Sequence, residues 1–247
     1  MKKLFLMALV FVAASCNRYF PVDEMKYGGM NGNVQSAKMS QYEADKKFGE
    51  VIKDEDELTL VTLQKFDKNG NLIEKTDYNR YGKETYEGFF TYEDGYATES
   101  IEKYNKNKIK GKRVELSKNY SKWEYEGMDF KSVEICFDNI LVDGCYHKIM
   151  KNEEGTIVNE KLIRKNGIVV LTRNFDNDGD MTYEEVNKVN DDNLITETML
   201  TFNNSVETYS ILLKYEYLSF DKHGNWTKRI MDKSGDLYIE EREIIYR

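Results

Sequence analysis

The sequence predicts an all-β protein built from repeated antiparallel β-hairpins. A short unit, aromatic-Asp-x-x-Gly-x-apolar, occurs as FDKNGNL from Phe66, FDNDGDM from Phe175 and FDKHGNW from Phe220. Where these copies and looser variants follow closely, they start 11 to 14 residues apart, at positions 66, 78, 92 and 104 and again at 220 and 231. The 247 residues include a single proline. Frequent turn signals with short alternating segments between them are typical of antiparallel sheet.

Each copy of the unit has the chemistry of a tight turn. The Asp side chain accepts hydrogen bonds from backbone amides two residues further on, and Gly adopts positive φ at little cost. A type I turn followed by a left-handed Gly commonly closes a hairpin loop. The repeats therefore predict the corners of a sheet.

The segments between the turns are predicted to be strands. Residues 57–63, 209–220 and 240–246 are rich in the alternating apolar, aromatic and polar residues of half-buried strands. Residues 42–52 give a poor helix pattern, because Tyr42 and Phe48 are badly spaced and Gly49 interrupts it. A β-turn is the prediction there.

The predicted architecture is an antiparallel meander that forms an extended or curved, largely single-layer sheet. Many strands carry Tyr, Lys, Glu and Thr on both sides, whereas the two sheets of a sandwich have continuous apolar inner faces. Long amphipathic side chains and cross-strand aromatic or charge pairs are able to cover a sheet without a second layer. A compact β-sandwich or barrel is the alternative.

The N-terminus is predicted to direct export. Lys2 and Lys3 precede the apolar run 4–12, which is too short to span a bilayer, and small residues then lead to Cys16. This order resembles a bacterial lipobox, in which the peptide is cut before the cysteine and the cysteine is acylated. The expected organisation is a signal peptide over 1–15, a lipid-anchored tether over 16–33 and one β-repeat domain over 34–247.

The predicted lipid anchor and the net charge of the chain indicate its localisation and its partners. We expect an outer-membrane lipoprotein of the cell envelope, held through its N-terminal lipid. Asn17 and Arg18 do not form an acidic surface-export signal, which favours a periplasm-facing domain over a surface-exposed one. A formal net charge of −8 argues against a nucleic-acid partner, since such proteins normally carry a basic patch.

The turn units resemble a known repeat class. FDKNGN, FDNDGD and FDKHGNW, with the closing REIIY, look like the YD/RHS-type hairpin repeats of exported bacterial proteins, especially small lipoproteins of Bacteroidetes-type bacteria. The resemblance extends by spacing over residues 34–247, although 117–151 departs from it. It implies export and a β-repeat fold. It supplies no catalytic residues, and the degenerate repeats do not imply the shell of large RHS proteins.

One acidic window fits a calcium loop in part. Asn174, Asp176, Asp178, Asp180 and Glu185 offer the oxygen ligands that hard cations prefer, and Gly179 occupies the sharp-turn position. Position 1 is Asn, however, and the flanking sequences look like strands. Because the window is also a copy of the repeat, a hairpin turn is the simpler interpretation, and no cofactor other than this calcium is indicated.

Cysteines and aromatic residues supply further candidates. Cys136 and Cys145 lie in a predicted strand-turn-strand segment, where a disulfide and two separate thiols are both open. Cys145 and His147 share a strand face and are a weak nucleophile-base pair. Trp123 and Trp226 are candidates for an aromatic binding surface, and the alternative is that aromatic residues stack along the sheet as its support.

Three functions remain open from the sequence. The first is a non-enzymatic envelope lipoprotein that binds or scaffolds a protein or glycan, which would present a contiguous exposed aromatic patch. The second is an envelope hydrolase acting on a polymer, which would need close carboxylates in a cleft or Cys145 with His147. The third is a calcium-stabilised repeat protein. The common hydrolase, zinc-protease and nucleotide-binding motifs do not occur in the sequence.

Overall fold

The protein is a closed antiparallel β-barrel in the computed structural model. The model describes residues 30–104, 107–117, 120–127, 132–142, 145–164, 166–204 and 207–247. Within these ranges there are sixteen strands: β1 (Val34–Lys47), β2 (Glu50–Phe66), β3 (Leu72–Asn79), β4 (Glu84–Glu93), β5 (Tyr96–Tyr104), β6 (Asn107–Ser117), β7 (Tyr120–Glu126), β8 (Ser132–Val142), β9 (Cys145–Asn152), β10 (Ile157–Arg164), β11 (Val169–Phe175), β12 (Met181–Val189), β13 (Ile195–Asn203), β14 (Thr208–Phe220), β15 (Trp226–Lys233) and β16 (Asp236–Tyr246). No helix of the described residues has the length and hydropathy of a membrane span.

Pairing of the first strand with the last closes the sheet. Every strand pairs antiparallel with its sequence neighbour, and β1 also pairs with β16, so that Lys38 lies opposite Glu243 and Ser40 opposite Glu241. The predictions of an all-β fold and of sequential hairpins are confirmed. The open single-layer sheet is wrong, and the alternative of a barrel is confirmed. Closure satisfies the backbone groups that two free edges would otherwise expose.

The repeat units form turns with one shared hydrogen-bond pattern. In each full copy the carboxylate of the Asp accepts hydrogen bonds from two backbone amides, two and four residues further on. The Asp carbonyl accepts from the Gly amide, and the Gly takes a φ between 78° and 88°. The copies are centred on Asp67, Asp176 and Asp221. The turn prediction is therefore confirmed at the level of individual bonds.

Asparagine performs the same task in the looser copies. Asn79 and Asn152 each accept from amides two and four residues further on, and each is followed by a Gly with positive φ. In the variant that begins at Asn190, Asn193 occupies the Gly position with a φ of 62°. Asn tolerates left-handed backbone better than most residues, which explains why this copy still forms a turn.

The two faces of the sheet differ in burial and chemistry. Residues directly opposite each other on paired strands share a face, so the registers assign each side chain around the ring. One face carries Tyr125, Tyr215 and Arg229, which lie deep among protein atoms. The other carries Lys103 and Glu126, which face solvent. We therefore call the first the interior face and the second the exterior face.

The exterior face carries cross-strand ion pairs. Except for the diagonal pair His147–Glu160, these pairs join residues that lie opposite each other on neighbouring strands, the arrangement in which opposite charges support a sheet. They are Lys38–Glu243, Lys65–Glu74, Lys103–Glu87, Lys110–Glu126, His147–Glu160, Arg173–Glu160, Arg173–Glu184, Lys188–Glu197 and Lys228–Glu241. Charged exteriors of this kind explain why the strands show no clear apolar-polar alternation in the sequence.

An apolar cluster occupies the end of the barrel where β1 begins and β16 ends. Buried side chains from β1 to β4 pack together there with half-buried residues of β4 and β16. The members are Met30, Val34, Ala37, Phe66, Leu72 and Phe90, with Tyr92, Ile244 and Tyr246 against them. One full copy of the repeat contributes to this cluster, because Phe66 and Leu72 flank the turn at Asp67. The apolar positions of that unit thus pack the core while its polar positions form the turn.

Candidate functional site

Three neighbouring strands place a tyrosine, an arginine and a glutamate in one row inside the barrel. Tyr217 on β14 lies opposite Arg229 on β15, which in turn lies opposite Glu240 on β16. The neighbouring row on the same face contains Tyr215, Met231 and Tyr238. Antiparallel hairpins fix these positions, since the register across each turn determines which residues meet.

Arg229 and Glu240 form an almost fully enclosed ion pair. Arg229 Nε donates to Glu240 Oε2, and the two side chains are only 15% and 5% exposed. Arg229 Nη1 also donates to the hydroxyl of Tyr217 at 3.3 Å. The hydroxyl of Tyr217 in turn donates to the carbonyl of Ile195 at 2.8 Å. The pair is therefore held in a chain of hydrogen bonds that crosses from β16 to β13.

Aromatic rings enclose the guanidinium of Arg229. Its carbon lies 4.2 Å from the ring centre of Tyr215 and 4.3 Å from that of Trp226. Burial by itself lowers the pKa of Arg229, but Glu240 and the two nearby tyrosine oxygens outweigh it and raise that pKa above its usual value. Arg229 is consequently charged at every physiological pH, and Glu240 compensates that charge.

A second arginine lies over the same indole ring. The guanidinium carbon of Arg242 is 3.7 Å from the ring centre of Trp226, within the range of a strong cation–π contact. Arg242 lies opposite Met39 of β1, on the interior face. Burial, followed by the like charge of Arg229, lowers the pKa of Arg242 to about 10. Arg242 therefore stays protonated at neutral pH, although burial and the neighbouring Arg229 disfavour its charge.

Further polar and aromatic side chains extend the interior site along the wall. The hydroxyl of Thr198 donates to the amide oxygen of Asn187, whose nitrogen donates to Glu185 at 2.7 Å. The aromatic rings of Tyr183 on β12, Phe202 on β13 and Tyr209 on β14 contact one another in that order. The first pair is tilted with ring centres 5.3 Å apart, and the second pair is stacked with ring centres 5.0 Å apart. The wall thus offers aromatic faces together with fixed donors and acceptors, the composition typical of small-molecule sites.

The two tryptophans predicted as a binding surface lie inside the barrel. Trp226 is 7% exposed and belongs to the arginine site, and Trp123 is 8% exposed. The indole of Trp123 stacks on Tyr125 at 6.3 Å and donates to Ser121 at 3.2 Å. Neither indole contributes to an exposed patch, so an aromatic surface that includes them must be reached through the interior. Their ring contacts also fit the alternative that aromatics support the sheet.

The residues predicted for calcium are dispersed by the hairpin. The carboxylate of Asp176 accepts the amides of Asp178 and Asp180 within the turn. Asn174 accepts a hydrogen bond from Asn159, and Glu185 accepts from Tyr183 and Asn187 farther along the strand. Among the described residues there is no group of three or more metal-capable side chains. Calcium binding stays a prediction, and the turn chemistry accounts for these bonds without it.

The hairpin predicted around the cysteines is present as β8 and β9. In its register Cys136 lies opposite Ile149, whereas Cys145 lies opposite Val142 and is buried. The side chain of Cys136 is outside the described part of the structure, so the disulfide stays a prediction. Cys16 and the predicted signal peptide are outside the described residues as well.

Sequence reasoning missed Arg229, Glu240 and Arg242. One signal was available: Arg229 and Glu240 lie at equal distances on either side of the turn at Ser234 and Gly235, as expected for residues opposite each other in a hairpin. Nothing in the sequence marked their face as the interior, because the exterior face carries the same kinds of charged residue.

No protein-family model matches the chain, and no curated protein matches it. Among solved structures, the chain is similar to a porin-like protein from Bacteroides uniformis ATCC 8492, whose crystal structure has a resolution of 2.32 Å. The TM-score is 0.47 and the sequence identity is 10%, and the match covers 87% of this chain and 98% of that one.

Proposed function

We propose that this protein is a lipid-tethered binding module of the cell envelope, in which the barrel binds a glycan or a protein segment and performs no chemistry on it. The observation that carries this proposal is the interior row of Tyr217, Arg229 and Glu240 with Trp226 and Arg242. Enclosed aromatic faces beside charged hydrogen-bond donors are the means by which proteins hold polar ligands.

The charge of the barrel wall supports a domain that lies in water and is attached to the membrane by its lipid. Strands of a membrane-spanning barrel present an apolar band to the lipid. Here the exterior face carries Arg173 between Glu160 and Glu184, at 3.3 and 2.8 Å. The same face also carries an apolar row of Leu162, Leu171, Val186, Met199 and Leu212. The charged part of the exterior is unsuited to hydrocarbon, and we assign membrane attachment to Cys16.

The anchor is tested by metabolic labelling with a palmitate analogue. We expect label and membrane association in the wild-type chain, and loss of both in Cys16→Ser. A chain that stays membrane-bound after this substitution would contradict the tether, because the barrel itself would then hold the membrane.

The binding function is tested on glycan and peptide arrays with the purified full chain. We expect a defined set of ligands, whose binding weakens in Trp226→Leu and is unchanged in the exterior variant Lys38→Met. If no glycan or peptide binds, the binding function fails. Circular dichroism of each variant shows whether the barrel is intact, so that a lost signal is assigned correctly.

A hydrolase is the second candidate, and one contact favours it. His147 Nε2 lies 2.7 Å from Glu160 Oε1, the kind of contact that orients a catalytic histidine. His147 and Cys145 share the exterior face, but Cys145 is buried, with 6% of its surface exposed. A thiol-directed alkylating reagent tests this candidate: a hydrolase requires rapid labelling of Cys145 that His147→Ala slows, whereas a binding module predicts slow labelling in both proteins.

A further inference from the structure

Arg242 differs from Arg229 in how its charge is compensated. Its contact is the indole of Trp226, and within the described residues no hydrogen bond or ion pair involves its guanidinium. By contrast, Arg229 has Glu240 and Tyr217 as partners. A guanidinium carries five N–H donors, so Arg242 presents a full set of unused donors.

The side chain of Arg242 is mostly buried but partly accessible. The side chain is surrounded by protein on most sides, yet part of its surface remains accessible. Because Arg242 lies on the interior face, opposite Met39, this accessible surface faces the inside of the barrel. Water or a ligand can therefore reach its donors from inside the barrel.

The local charge is not balanced. Arg229 and Arg242 supply two positive charges, and Glu240 supplies one negative charge, which is already bonded to Arg229. Burial and Arg229 act against the charge of Arg242 more strongly than Glu240 favours it, and an enclosed charge without a hydrogen-bonded partner is costly. An incoming anion would remove this imbalance and satisfy the free donors at once.

We propose that Arg242 is the anion-recognition residue of the interior site, and that its ligand carries a carboxylate or sulfate group. The planar guanidinium binds both oxyanions through paired N–H donors, while Trp226 fixes its plane from one side. The ring faces of Tyr215 and Tyr217 suit the polar ring of an acidic or sulfated sugar. This assignment rests on the proposed binding function and narrows its ligand class.

The test is titration calorimetry on the full chain with glucuronate, glucose and inorganic sulfate. We expect glucuronate to bind more tightly than glucose, and Arg242→Met to weaken glucuronate roughly tenfold or more, the scale of one charge-assisted hydrogen bond. The matched control is Arg173→Met, which removes the same charge from the exterior face. Sulfate binding without glucuronate binding assigns the site to sulfate esters, and the reverse assigns it to carboxylates.

Three outcomes would overturn the proposal. Glucuronate and sulfate that bind no better than glucose would show that no anion is recognised. Equal losses in Arg242→Met and Arg173→Met would show a general effect of charge. A large loss of thermal stability in Arg242→Met alone would show a structural partner, because removing a costly, uncompensated charge should leave the melting temperature unchanged or raise it. If Arg242→Met still binds neutral glycans on the array, the proposed binding function survives the failure of the anion assignment.

Discussion

Replacing Glu240 by glutamine should destabilise the barrel strongly. The substitution keeps the size of the side chain but leaves Arg229 and Arg242 as two enclosed positive charges with no described anion beside them. Glu240 is only 5% exposed and Arg229 15%. Breaking a buried ion pair from one side typically costs about 3–5 kcal/mol of unfolding free energy. For a domain of this size, that corresponds to a fall in melting temperature of roughly 6 to 20 °C.

Thermal and urea unfolding, followed by circular dichroism, measure this effect. The matched control is Glu243→Gln on the exterior face, where Glu243 is 76% exposed beside Lys38 and the change should be small, because exposed pairs contribute little. The double variant Arg229→Met with Glu240→Leu should recover most of the lost stability, since it removes both charges. If Glu240→Gln costs no more than Glu243→Gln, the pair is not enclosed and the interior face has been assigned wrongly.

Four further predictions concern the turns. Although burial opposes it, hydrogen bonds from the Tyr246 hydroxyl and from backbone amides hold the pKa of Asp221 below its usual value. The stabilisation from this depressed pKa is present well above the unfolded pKa of about 3.9 and is lost as the pH falls through the folded value, so Asp221→Asn should flatten the acid side of the stability profile while Asp178→Asn leaves it unchanged. Gly155→Ala should lower the melting temperature by a few degrees. A Cβ at this position meets no atom within 4 Å, so the expected loss comes from the φ of 84°, which costs an alanine roughly 1 kcal/mol. Asn193→Gly should raise the melting temperature slightly, and a fall instead would contradict the turn assignment. Millimolar calcium should leave the melting temperature unchanged, whereas a rise that Asp178→Ala abolishes would establish the calcium site.

The sequence was informative where structure is local. The turn at Asp67 follows from Asp and Gly at fixed spacing, because the hydrogen bonds that close it lie within the five residues 67–71. Closure of the barrel joins Lys38 to Glu243, and no local pattern specifies a pairing across about 200 residues. A closed sheet and an open one share the same hairpins, which explains why the open form was the first prediction.

The candidate site was not predictable for a different reason. Face assignment from sequence depends on one face being apolar and the other polar. In the barrel, the exterior carries Arg173 between two glutamates, and the interior carries Arg229 beside Glu240. Charged residues therefore occur on both faces. Only the burial seen in the structure distinguishes a supporting ion pair on the exterior face from an enclosed ion pair on the interior face.

Hydrogen exchange measured by mass spectrometry tests the closed barrel most directly. The measurement compares β1 and β16 with β12 and β13, a central pair of strands that has neighbours on both sides in an open sheet as well. In a closed ring, the amides of β1 and β16 are bonded on both sides, and they should be protected as strongly as those of β12 and β13. If β1 and β16 exchange much faster than the central pair, they are free edges and the sheet is open.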